Sequence, residues 1–174
     1  MPNSAWSTTC VTHDSGQLPD ATEMIPHHQQ AVAMAALAPG HGASRPVQAV
    51  ASQVSAEQIP EIAQLRGMLA GWGQAVPTAA PMGGMPGMGG GTAMADAAPG
   101  MMTDAEMTQL EAAGGPAFDR AFLQMMITHH QGALTMAKAE LADGRDPDAT
   151  LMAQNISDAQ QASIELMQWL LAGK

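Results

Sequence analysis

The segment Met24-Ile25-Pro26-His27-His28-Gln29-Gln30-Ala31-Val32-Ala33-Met34-Ala35 returns 102 residues later as Met126-Ile127-Thr128-His129-His130-Gln131-Gly132-Ala133-Leu134-Thr135-Met136-Ala137, with eight of twelve positions identical. The same offset carries Ala51, Ser55, Gln58, Ile62 and Leu69 onto Ala153, Ser157, Gln160, Ile164 and Leu171. An offset kept without slippage means that a two-helix unit has been duplicated, so one architecture must accommodate both copies.

Local signals place the helices. Residues 1–18 show no hydrophobic period and carry Pro, Ser, Thr, Gly and Asp, the composition of a flexible lead-in. A first helix is expected from Asp20 to Ala38, ended by Pro39-Gly40. Pro26 should start or bend it, having no N–H for the Thr22 carbonyl. A second helix follows Arg45-Pro46, with an apolar stripe through Val47, Val50, Val54, Ile62, Leu65, Leu69 and Trp72 and a kink expected at Pro60.

From Gly73 to Thr103 the chain is Pro, Gly, Ala and Met with almost no charge, which reads as a linker. Thr103 is suited to N-cap a short helix over Asp104–Ala112, and a longer one is expected from Ala117 to Ala142. Asp146-Pro147 opens a last helix to Ala172, with Met152, Ile156, Ala159, Ser163, Leu166 and Leu170 inward. The division is a lead-in 1–18, a first hairpin repeat 19–75, a linker 76–103 and a second hairpin repeat 104–174. Two antiparallel helical hairpins sharing one core make an all-α four-helix bundle the expected fold. Aromatic residues at 3% and no tyrosine argue against a sheet, so Ala, Leu, Ile, Val and 16 Met must fill the interior.

The formal charge of −10 comes without any Lys or Arg cluster, which excludes a nucleic-acid partner. No stretch is apolar enough to span a membrane. Cys10 stands alone, so neither an intrachain disulfide nor a thiolate cluster is available and a soft metal would depend on Met and His. Thioethers escape the thiol–disulfide exchange that disables cysteine outside the cytosol, so the expectation is an exported protein: periplasmic, secreted or cell-surface. The first thirty residues lack the basic start and apolar run of a signal peptide, so its signal segment is expected to be missing from this sequence.

The chemistry lies in the repeated segment. His129 shares its helix face with Phe118, Phe122, Met125, Ala133 and Met136, while His130 stands about 100° round at the edge of that stripe. Met125 precedes His129 by four residues and Met126 precedes His130 by four, so each imidazole has a sulfur one turn away. The first copy supplies Met24, His27, His28 and Met34. Imidazole with thioether favours copper, as Cu(I) or Cu(II), with zinc the alternative for the histidines alone.

Glu23 stands where the second copy has Met125, and Asp20 where it has Phe122, so two unequal sites are expected, the first more tolerant of Cu(II) and the second preferring Cu(I). Gln58 and Gln160 recur on the partner helices, where an amide could orient a ligating imidazole. Met82, Met85 and Met88 in the linker, with His13 in the lead-in, form a candidate secondary thioether and imidazole set whose affinity is limited by the entropy of ordering the chain.

Met24-Ile25-Pro26-His27-His28 with Met34-Ala35, and the longer run from Phe118 to Ala133 with Met136-Ala137, resemble the family of domain of unknown function 305 across residues 13–172. Its hallmark is a duplicated helix bearing MI-x-HH. The resemblance implies a ferritin-like or four-helical fold, export from a bacterial cell, and copper binding and tolerance. The partner helix keeps the family's Gln58 and Glu61-Ile62, whereas the later copy has Ser163-Ile164.

A di-iron oxidase would need inward carboxylates and Glu-x-x-His pairs, but Met24, Ile25, Met126 and Ile127 stand three residues before the four histidines. No nucleophile elbow or phosphate loop is present, so enzyme status is not expected. The functional reading is an exported copper-binding protein that sequesters, stores or transfers the metal. A copper-trafficking protein is a candidate partner, and a homo-oligomer is compatible with the chain. The rivals are a zinc-binding protein and a structural or partner-binding helical module whose histidines only pack.

Overall fold

The computed structural model describes residues 18–77 and 98–173. Its element order is α1 (Leu18–Leu37), α2 (Arg45–Gly71), α3 (Asp104–Ala112), α4 (Pro116–Asp143) and α5 (Pro147–Leu171). Four long helices form an all-α bundle in which α1 pairs with α2, α4 pairs with α5, and α1 lies against α4 to join the hairpins. No strand occurs among the described residues.

Capping chemistry fixes the boundaries of the second repeat. The Thr103 hydroxyl accepts from the Glu106 backbone N–H while the Glu106 carboxylate accepts from the Thr103 N–H, a reciprocal capping box. The Thr103 N–H and, after it, the Thr103 hydroxyl donate to the Glu106 carboxylate and hold it below its ordinary pKa. The Asp146 carboxylate accepts from the N–H groups of Asp148 and Ala149 at the start of α5, with Pro147 next to the cap. In the first repeat Pro26 lies inside α1 and Pro60 inside α2, and each helix continues through its proline.

The inward face of α5 also differs from the apolar stripe expected of it. Ile164 and Met167 are buried, while Leu166 and Trp169 are exposed and Ala159 and Leu170 half-buried. Two apolar stripes compete in its last two turns, and the buried Gln160 and Ser163 set the phase in favour of the one continuing to Met167. Ile62 on α2 and Trp72 at its C-cap are half-buried at the edge of the stripe, and the buried Gln58 takes an inward position instead.

Both hairpins contribute to two apolar clusters. One gathers Met34, Val50 and Val54 with Phe118, Phe122, Met126 and Met167. The other gathers Met24, Ile25, Leu65 and Leu69 with Met136, Met152 and Ile156. Residues before the histidine doublet on α1 share a cluster with residues after it on α4, so these helices run antiparallel. Between the clusters lies a polar layer.

Candidate metal centre

His27, His28 and His129 are fully buried and His130 is 1% exposed. On α1 they fall between Ile25 of one cluster and Ala31 of the other, and on α4 between Met126 and Ala133. The ring centroids of His27 and His129 are 3.8 Å apart, whereas neighbours within each doublet are 6.4 Å apart. Equivalent residues of two repeats touch each other only beside a two-fold axis relating the repeats. The expected pair of separate sites is therefore corrected: the doublets meet as one four-histidine layer at the centre of the bundle.

His130, expected at the edge, is inside because α4 lies between α1 and α5 and buries a wide arc of its surface. Met126 takes the inward position and Met125 is half-buried. Met34 and Met126 flank the layer on one side and Met24 and Met136 on the other. Glu23 is exposed and supplies no inward carboxylate. That group comes instead from α2, where Glu61 Oε2 accepts from His28 Nε2 at 2.8 Å. The position of Glu61 in the second copy is Ser163, so the carboxylate is present on one side only.

His27 Nε2 donates to the Pro99 carbonyl at 2.9 Å. Since a carbonyl only accepts, the proton sits on Nε2 and the lone pair on Nδ1. Nδ1 of His27 and His28 and both ring nitrogens of His130 have no hydrogen-bond partner among the described residues, and His129 makes only a contact with the His27 backbone that falls short of hydrogen-bond geometry. Each such buried group costs about 1–3 kcal/mol if left unsatisfied. Burial lowers the pKa of His27 to about 4, with His28 adding repulsion and the Pro99 bond opposing it. Burial, then His28 and His27, lowers that of His130 to about 3, and His129 is likewise pushed well below its ordinary value by burial and its neighbours. These three rings are neutral at pH 7, the form that offers a lone pair to a metal.

Four residues outside the expected set, Gln30, Pro99, Met102 and Gly132, close the layer. The Gln30 amide donates to the Met102 carbonyl at 2.8 Å, and its oxygen accepts from the Met102 N–H at 2.7 Å. Gly132, the counterpart of Gln30, leaves room for the Pro99 carbonyl where a Cβ would collide with it. The segment Pro99–Met102 thus crosses the histidines, held by the side chain of one repeat and the bare backbone of the other. Gly132 was the available signal, since glycine in a helix interior costs about 1 kcal/mol relative to Ala and marks a close approach.

Gln58 and Gln160 are buried beside the layer, but their Oε1 atoms lack a hydrogen-bond partner among the described residues, and the imidazole partners found are Glu61 and Pro99. No three His, Cys, Asp or Glu side chains converge as a ready cation cage among the described residues. Cys10, His13, Met82, Met85 and Met88 lie outside the described residues. No described helix is long and apolar enough to cross a membrane.

The model of the domain of unknown function DUF305 matches residues 21–171. A Streptomyces coelicolor protein described as a candidate secreted DUF305 protein is 30% identical, with a TM-score of 0.77 over 91% of this chain and 93% of its own. A DUF305 fragment from Deinococcus radiodurans is 27% identical, with a TM-score of 0.77 over 92% and 98%. CopM in its Cu(II)-bound form is 28% identical, with a TM-score of 0.71 over 91% and 97%. No curated protein matches the chain. With the match spanning both hairpins and the histidine layer between them, the chain belongs to the DUF305 family.

Proposed function

We propose that the protein is an exported copper-binding protein that sequesters, stores or transfers the metal through His27, His28, His129 and His130, with Met24, Met34, Met126 and Met136 above and below them. The observation that carries this reading is the set of buried imidazole nitrogens without partners. A core that only packed would gain by replacing such rings with hydrocarbon, whereas a bound cation satisfies their lone pairs. Taking up an ion requires the rings to turn toward a common centre, since they do not yet converge. Imidazole and thioether donors favour copper over hard cations. The Cu(II)-bound form of CopM, similar along most of both chains, supports the same choice, and the relative described as a candidate secreted protein supports export.

The proposed role is binding rather than catalysis, which the imidazole and thioether donors around the layer suit. Competition for Cu(I) against a chromogenic chelator tests the reading. Stoichiometric uptake by the wild-type chain and its loss on His129→Ala are expected. No uptake by a folded chain, or tighter uptake of zinc than of copper, would overturn it.

A further inference from the structure

Beyond the histidine layer, on the side of Met24 and Met136, a cavity of about 30 Å3 opens inside the bundle. Its lining includes four thioethers, Met24, Met68, Met136 and Met152, together with the buried carboxylate of Glu140. Met68 on α2 and Met152 on α5 belong to no repeated motif. A void needs about 10–15 Å3 to admit one water-sized guest, so a single ion fits here and an organic ligand does not.

The duplication provides an internal control. Moved by 102 residues to the other end, Met24, Met68, Met136, Met152 and Glu140 become Met126, Leu170, Met34, Val50 and Ala38. Two sulfurs are replaced by hydrocarbon and the carboxylate by a methyl group, and Phe118 and Phe122 belong to the apolar cluster there. One fold thus carries the same position once as filled packing that keeps two methionines and once as a hole lined by four methionines and an acid. A methionine kept only to fill space would not leave space beside it.

We propose that this cavity is a separate all-thioether site for one soft monovalent cation, Cu(I) or Ag(I), lying next to the histidine layer. Thioethers are neutral donors that suit such an ion. The inference extends the soft-metal reading but requires none of the histidines.

The test is a titration of the full chain, labelled with 13C at the methionine methyl groups, with Ag(I). The methyl resonances of Met24, Met68, Met136 and Met152 are expected to move together in one transition that corresponds to one bound ion. A variant carrying Met68→Leu and Met152→Leu, which keeps volume while removing sulfur, should lose one equivalent of Ag(I) and retain Cu(II) binding at the imidazoles. Unmoved Met68 and Met152 resonances in the wild-type chain overturn the proposal, as does full Ag(I) stoichiometry in the folded variant. Loss of Cu(II) binding on His129→Ala bears on the histidine layer alone, so the two readings fail separately.

Discussion

On one side of the histidine layer Met34 and Met126 are embedded with Phe118, Phe122 and Val50, the two phenyl rings stacked with centroids 5.7 Å apart. On the other side Met24 and Met136 border a cavity with Met68, Met152 and Glu140. The repeats that built the two sides retain the doublets and their methionines while differing in what surrounds them. The contrast lies in the surroundings: the same motif methionines are embedded among hydrocarbon at one end and border a cavity at the other.

Phe122→Ala should test the filled end most severely, costing about 3–5 kcal/mol in denaturant unfolding, because a fully buried ring leaves a hole that helices cannot close. Met152→Leu at the open end should cost less than about 1.5 kcal/mol. Equal losses would show that both ends are packed alike and would break the comparison.

The layer between them should be acid-sensitive. Its lowered folded-state values mean that below the ordinary value of 6.5 the unfolded chain takes up protons that the folded chain refuses. Stability is therefore full above that pH and falls as pH falls, with the loss complete near pH 4 for His27 and near pH 3 for His130. His27 alone contributes about 3 kcal/mol to that loss, by the size of its shift. Thermal unfolding of the metal-free protein between pH 7 and pH 4 measures it, and a flat profile would contradict a neutral, buried layer.

Gly132→Ala sharpens the comparison of the repeats. Helix propensity alone predicts a gain of about 1 kcal/mol, whereas displacement of the Pro99 carbonyl from His27 predicts a net loss of about 1–2 kcal/mol. Hydrogen exchange of the Met102 amide, held by Gln30, reports the displacement directly, and a slower exchange in the variant would count against it.

Much of the fold is legible in the chain because its signals are local. The Thr103–Glu106 box and the Asp146-Pro147 start need only neighbouring residues, and the offset of 102 identifies the two hairpins without any knowledge of their packing. The doublets are legible for the same reason. Their meeting is not, because an offset states that two copies are equivalent without saying where the axis between them passes. That depends on how α1 crosses α4, which places His27 against His129. The Glu61 contact and the Pro99 carbonyl are likewise long-range, and no periodicity on one helix reveals a partner supplied by another element.

If imidazoles from both repeats bind the same copper ion, electron paramagnetic resonance of the protein with one equivalent of Cu(II) will register both. Superhyperfine splitting from more than one imidazole nitrogen is predicted, with part of it lost in His27→Leu and part in His129→Leu. A spectrum of oxygen ligation alone, unchanged by either substitution, would contradict the account.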